Sequence, residues 1–324
     1  MRSEEEVFYT ILEFANATKA VRLVTLEGSR ANSHIKKDRF QDYDISFFAT
    51  PSDIEMLKTD ERWLMHFGEC VMMQKPESME LFPPDLREGW LSYLMLFSDG
   101  VRIDLTLIPL DDVGFYFAHD KLVRVLLDKD NLAPNRLVAS DSDFWIPPLT
   151  QRSFEDCCNE FYWLYHNAFK EIIRDEILSA NFYLNAMRET LLILLSWRVG
   201  LKTMKNKKCL KHRNIAHQTL DSIKTLQDTL DSKNPNAHNP KNSLTYHFHF
   251  SLGKHSKFLP QYLSKKSRKN LYKSFHLGAK KEAKKSLKCL DRIFHKNAKK
   301  LCKYDFTYPH YRRNVKRWCE ILEQ

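Results

Sequence analysis

Two aspartates stand one residue apart inside an apolar run, QDYDISFF at 41–48. Side chains two apart on a strand point the same way, so Asp42 and Asp44 project together. Carboxylates held side by side repel each other unless a cation lies between them. A small set of oxygen ligands suits Mg²⁺, which keeps some of its water and completes its shell with substrate phosphates. A third carboxylate, Asp104, interrupts the strand-like run VRIDLTLIP at 101–109. A charge in so apolar a strand needs a partner. A metal shared with Asp42 and Asp44 is one such partner. Three carboxylates can hold two Mg²⁺, the arrangement that stabilises attacking and leaving oxygens in phosphoryl and nucleotidyl transfer. The third can also act as general base on an attacking hydroxyl. Arg102 is the competing partner for Asp104. It is expected on the opposite face of the strand, which makes a salt bridge between the two the weaker reading.

The segment LEGSRAN at 26–32 closes the preceding apolar run with what a triphosphate needs. Gly28 permits close backbone approach, and backbone N–H groups with the Ser29 hydroxyl can donate to phosphate oxygens. Arg30 adds a guanidinium suited to phosphate.

These groups must be held by strands and turns, and the hydrophobic pattern supplies them. Val7, Ile11, Leu12, Phe14 and Ala15 have helical spacing within 4–19. VRLVTLEGS (21–29) and YDISFFAT (43–50) read as strands, and RANSHIKKDRFQ between them begins with a short helix. A helical stretch at 52–67 has Ser52 as its expected N-cap. ECVMMQ (69–74) is a short strand, and 86–100 with 101–110 form a hairpin turned at Ser98-Asp99-Gly100. The order α-β-α-β-α-β-β indicates a mixed sheet with helices packed on it. From 131 to 155 three prolines interrupt the pattern, as in a connection between domains. From Phe154 onward the spacing is helical, with a second helix at about 177–199 and a strongly amphipathic one at 278–301. The lysines of that last helix read as a solvated face. Two histidines at strand spacing in YHFHF (246–250) lack a second ligand pair, so a surface strand or loop is favoured over zinc.

Composition limits the partners. At 324 residues and 43% hydrophobic, the chain suits a two-domain globular protein. It lacks the run of about 20 apolar residues that a membrane span needs. Seven cysteines without a CxxC pair, and an acidic start without a signal-peptide cleavage site, lead us to expect a cytoplasmic protein with reduced thiols. Residues 1–150 carry a net charge of −10 and residues 151–324 carry +20. Such a split indicates two domains with different electrostatic roles, or two halves that attract each other. Lysine-rich surfaces bind phosphate backbones, so the second half leaves nucleic acid open as a partner.

LEGSRAN, QDYDISFF and VRIDLTLIP together resemble the nucleotidyltransferase superfamily that includes DNA polymerase β. They are more closely similar to the aminoglycoside 6-adenylyltransferases, also called streptomycin adenylyltransferases. CCNEFYWLYHNAFKEIIRDEILSA (157–180) resembles that family's Asn-Glu-Phe-aromatic-Trp helix, and SLGKHSKFLPQYLS (251–264) its Gly-Lys segment. The resemblance implies an α+β fold. A mixed-sheet nucleotidyltransferase domain at 1–135 and a linker at 136–153 would precede an all-α helical-bundle domain at 154–324, with an insertion at 201–247 and a cleft between the domains. It implies ATP as co-substrate and an aminoglycoside acceptor. The acceptor hydroxyl, the 6-hydroxyl in streptomycin's streptidine ring, would attack the α-phosphate, and pyrophosphate would leave. Asp42 and Asp44 match the family's metal-binding pair, and Asp104 its third acid, as metal ligand or base. Ser29 and Arg30 match its nucleotide-phosphate turn. Glu160, on the aromatic helix, would bind a cationic acceptor or pair with a basic residue at the domain interface. Lys254 would reach the β- or γ-phosphate or stand solvated. A basic second domain sits uneasily with a cationic drug. RNA or a protein hydroxyl is therefore the rival acceptor, and a binding protein without turnover the rival class.

Overall fold

The computed structural model describes residues 1–205, 246–248, 250–252, 258–275 and 280–322. The chain divides into two compact units, Met1–Asp143 and Phe144–Gln324. The expected insertion at 201–247 falls almost wholly outside the described residues, as do Lys254 and His249.

Ser3 starts the first helix, α1 (Glu4–Ala17), through a capping box with Glu6. Val7, Ile11 and Ala15 are its buried stripe. The strand β1 (Leu23–Leu26) leads into a single helical turn, α2 (Gly28–Ala31), and then into β2 (Tyr43–Ala49). The next helix, α3 (Pro51–Thr59), is capped by Thr50, whose side chain accepts from the Asp53 N–H. Ser52 is therefore not the N-cap expected above. Pro51 takes the first helical position, where its missing N–H is harmless, and that moves the cap back to Thr50. The helical stretch expected to residue 67 is made of two pieces. Asp60 recaps the chain, and a 3₁₀ stretch runs Glu61–Phe67 before Gly68.

Strands β3 (Cys70–Gln74), β4 (Leu91–Phe97) and β5 (Arg102–Pro109) follow as expected, with β4 and β5 forming the hairpin. The stretch 111–130, to which sequence reading assigns no element, contributes α4 (Val113–His119) and an edge strand, β6 (Arg124–Asp128). The six strands lie in the order β3-β4-β5-β2-β1-β6. β2 and β5 run parallel, and the other pairs are antiparallel.

The two faces of this sheet differ. Tyr43, Ile45 and Phe47 of β2, with Ile103, Leu105 and Leu107 of β5, pack on the stripe of α1. On the opposite face β2 presents Asp44, Ser46 and Phe48 in register with Asp104, Thr106 and Ile108 of β5, and Asp42, just ahead of β2, lies 3.5 Å from Arg102 at the start of β5. Leu23, Phe48 and Ile108 at one end of that face are covered by Tyr116 of α4. The other end carries the acids.

The second unit is helical. Thr150 and Ser153 form a capping box for α5 (Gln151–Arg174), which therefore begins three residues before Phe154. It is followed by α6 (Ile177–Lys205), α7 (Leu259–Tyr262), α8 (Lys265–Tyr272), α9 (Lys280–Leu301) and α10 (Tyr311–Leu322). The predicted apolar stripes of α5 and α9 are buried, including Phe161 against Phe294 at 3.8 Å between ring centroids. Residues ahead of α5 are built into this unit. Trp145 bridges Ser251, Leu149 bridges Tyr246, and the Trp197 indole donates to the Pro147 carbonyl at 2.9 Å. Gly200 leaves space for the buried Phe248 ring, which a Cβ there would meet at 2.3 Å. Among the described residues no helix is long and apolar enough to cross a membrane.

Candidate active site

The acidic end of the sheet face is organised by the turn after β1. The Glu27 N–H donates to the Asp44 carbonyl at 2.9 Å, which extends the β1–β2 pairing by one residue. Gly28 then turns the chain at φ +65°, directly over Asp44. A Cβ at Gly28 would lie 2.2 Å from Asp44 Oδ2, so only glycine lets the turn approach the carboxylate this closely. Ser29 follows in the first turn of α2, where backbone N–H groups have no partner within the helix.

Arg30 has a different job from the one its composition implied. It is buried, donating from Nε to the Asp42 carbonyl at 3.0 Å and from Nη2 to the Gln41 carbonyl at 2.8 Å. Its guanidinium lies 3.8 Å from the Tyr43 ring centroid and 3.4 Å from Glu4 Oε2. A guanidinium so engaged is not free to receive a phosphate. It fixes the start of β2 instead, and with it the backbone that carries Asp42. The Gln41 side chain closes the link by donating to the Ser29 carbonyl at 3.3 Å.

Asp44 and Asp104 are partners in the parallel β2–β5 register, so their side chains rise from adjacent strands onto one face. Arg102 shares that face, contrary to the expectation above. Residues two apart on a strand return to the same side, so Arg102 and Asp104 project together. Its Nε and Nη2 donate to the two Asp104 oxygens at 2.8 and 2.6 Å, and its Nη1 lies 3.5 Å from Asp42 Oδ2. The hydrogen bonds to Asp104 raise the Arg102 guanidinium above its ordinary value. A fork shared between two carboxylates partly neutralises the cluster.

Among the described residues no set of three or more His, Cys, Asp or Glu side chains is disposed to hold a metal ion. The three aspartates share a face, but Arg102 stands between Asp104 and Asp42. The donor chemistry still fits a hard dication, since every acidic group here offers carboxylate oxygen.

One acid escaped sequence reading. Glu27 accepts from the Thr25 hydroxyl at 2.6 Å and from the Tyr116 hydroxyl, and burial pushes its carboxyl up to about 8. It buttresses the turn from beneath through α4, an element the sequence reading did not assign. A glutamate closing an apolar strand just before Gly-Ser was the available signal.

Elsewhere, Glu160 is exposed on α5 and pairs with no basic side chain among the described residues. Lys254 lies outside the described residues.

Comparison with known proteins bears on the whole chain. The model of the streptomycin adenylyltransferase family matches residues 1–245 and 239–322. An aminoglycoside 6-adenylyltransferase of Staphylococcus aureus is 37% identical over 98% of this chain and 98% of its own. A second, from Campylobacter jejuni, is 37% identical over 98% of this chain and 95% of its own. A third, from Bacillus subtilis (strain 168), is 48% identical over 62% of this chain and 70% of its own. With its acids on one sheet face beside a glycine turn, the chain belongs to the streptomycin adenylyltransferase family.

Proposed function

We propose that the protein is an O-adenylyltransferase that moves AMP from ATP to a hydroxyl of an aminoglycoside, with streptomycin at its 6-hydroxyl as the acceptor. The observation that carries this reading is Asp44 under the Gly28-Ser29 turn and in register with Asp104, with Asp42 reached by the same Arg102 fork that holds Asp104. Family membership supplies the reaction class. In the reaction the acceptor oxygen bonds to the α-phosphorus while the bond to the bridging oxygen breaks, so pyrophosphate leaves. The turn contributes backbone N–H groups and the Ser29 hydroxyl as donors to phosphate oxygens. Asp42 and Asp44 would hold Mg²⁺, which when bound offsets phosphate charge and polarises the reacting phosphorus. Asp104 supplies the third carboxylate, as a further ligand or as acceptor of the hydroxyl proton. Arg30 and Gln41 hold the Asp42 backbone in place, and Glu27 with Tyr116 supports the turn.

The test is a panel of aminoglycosides assayed for pyrophosphate release with ATP and Mg²⁺. Release is expected only when an acceptor is present, with streptomycin active. An inert streptomycin beside an active relative would refute the acceptor. No release with any acceptor would refute the chemistry, and label from α-labelled ATP appearing in RNA would favour the rival.

Arg102 provides a separate prediction. Its guanidinium competes with a dication for Asp104 and Asp42 oxygens. Arg102→Ala should lower the Mg²⁺ concentration for half-maximal thermal stabilisation by roughly two- to fivefold, the worth of a partly exposed ion pair. Without Mg²⁺ the variant should unfold at a lower temperature than wild type. An unchanged Mg²⁺ response would remove the competition.

A further inference from the structure

Between α9 and α10 of the second unit lies an open pocket of about 740 Å³ that the chemistry above does not use. Its walls carry His295, His310, Arg312, Arg313, Lys316 and Arg317. One buried acid orders two of these cations. Asp291, only 3% exposed, accepts from Arg312 Nε and Nη2 at 2.8 Å each and lies 2.7 Å from Lys316 Nζ. Burial by itself would raise the Asp291 carboxyl, but the hydrogen bonds from Arg312 and Lys316 outweigh it and hold the group below the usual carboxylate range. The Tyr162 hydroxyl donates to the same acid at 3.4 Å and meets the Tyr308 hydroxyl at 2.9 Å. Tyr308 in turn stands 3.2 Å from His295 Nδ1.

This arrangement leaves positive charge in surplus. The single charge of Asp291 faces both Arg312 and Lys316. Arg313 and Arg317, exposed and four apart on α10, add two more cations, with Glu320 as the remaining acid on the wall. Like charges four apart destabilise a helix unless something compensates them. Here two such pairs, 312/316 and 313/317, run side by side along one concave wall. Exposed lysines on α9, such as Lys281, Lys285 and Lys288, read as an ordinary solvated face. The pocket differs in being concave, arginine-rich and pre-ordered by a buried carboxylate. Guanidinium forks match phosphate oxygens in pairs, and the exposed Arg313 and Arg317 present such forks, while Arg312, held on Asp291, adds fixed positive charge to the wall.

We propose that this pocket binds a phosphate-bearing anion of the size of a di- or triphosphate. The inference does not depend on adenylylation, and its test contains no acceptor. The test is calorimetric titration of the full chain with inorganic pyrophosphate in EDTA. Without a dication the acidic sheet face repels polyphosphate, so binding under these conditions reports the basic pocket. Wild type should bind, and more weakly as salt rises. The double variant Arg313→Ala/Arg317→Ala alters two exposed side chains and should keep its unfolding temperature while binding roughly tenfold more weakly or worse, the loss expected from charge-assisted contacts. Asp42→Asn should bind as wild type does. ATP tighter than pyrophosphate would identify a nucleotide as the occupant, and equal affinity a bare polyphosphate. Absence of binding in EDTA, binding indifferent to the double substitution, or adenosine binding as well as ATP would each overturn the proposal.

Discussion

Asp44→Asn is expected to lower AMP transfer by about a thousandfold or more while leaving the fold intact. Asparagine keeps the volume of the side chain and removes one charge from the acidic face. Carboxylate charge at such a site supports several kcal/mol of transition-state stabilisation, and each ~1.4 kcal/mol is a factor of ten in rate. Stability should move the other way. Asp44 stands opposite Asp104 in the β2–β5 register, and like charges directly opposite destabilise a sheet by about 0.2–1 kcal/mol. The unfolding temperature without metal should therefore hold or rise slightly. Pyrophosphate release and thermal unfolding, measured on one preparation, check both halves. An Asp44→Asn protein with full activity would sink the assignment. Asp104→Asn separates the two roles left to that residue. Loss of a ligand would raise the Mg²⁺ concentration needed for half-maximal rate. Loss of a base would depress the maximal rate with Mg²⁺ dependence unchanged.

Gly28→Ala should cost nearly as much activity without removing any functional group. The added Cβ would sit 2.2 Å from Asp44 Oδ2 and 2.9 Å from its Cγ, so the carboxylate must move or the turn must open. At φ +65° an L-residue also carries about 1–2 kcal/mol of backbone strain. Displacing a catalytic group by about 1 Å can cost on the order of a hundredfold in rate. We expect that loss together with a lower unfolding temperature. Gly114→Ala is the control, because nothing lies within 4 Å of a Cβ there and α4 should tolerate it. A Gly28→Ala enzyme with wild-type rate would show that the turn does not need to approach Asp44.

Period-two alternation governs the acidic motif and its basic neighbour alike. Alternation sets Asp42 on the side of Asp44. Applied consistently, it also sets Arg102 beside Asp104, as the bidentate pairing shows. Strand β6 and helix α4, at five and seven residues, are too short for a hydrophobic period to define them in the sequence. Tyr116 acquires its meaning from packing on Phe48, at 4.9 Å between ring centroids. Arg30 was legible as a cation beside a Gly-Ser turn, but not as a buried one, because burial depends on where Tyr43 and Glu4 arrive.

The division between the two kinds of information is physical. Local order is written in short-range chemistry. Alternation defines the strands, Gly28 marks a turn that needs left-handed backbone, and the capping residues start the helices, so the α+β class and the family resemblance are legible along the chain. Pairings between residues far apart in the chain are another matter. Asp44 opposite Asp104, Glu27 beneath Tyr116, and Arg312 with Lys316 on Asp291 depend on register, sheet order and helix packing. Those contacts are selected by how apolar surfaces bury against one another, and no window of sequence contains both partners.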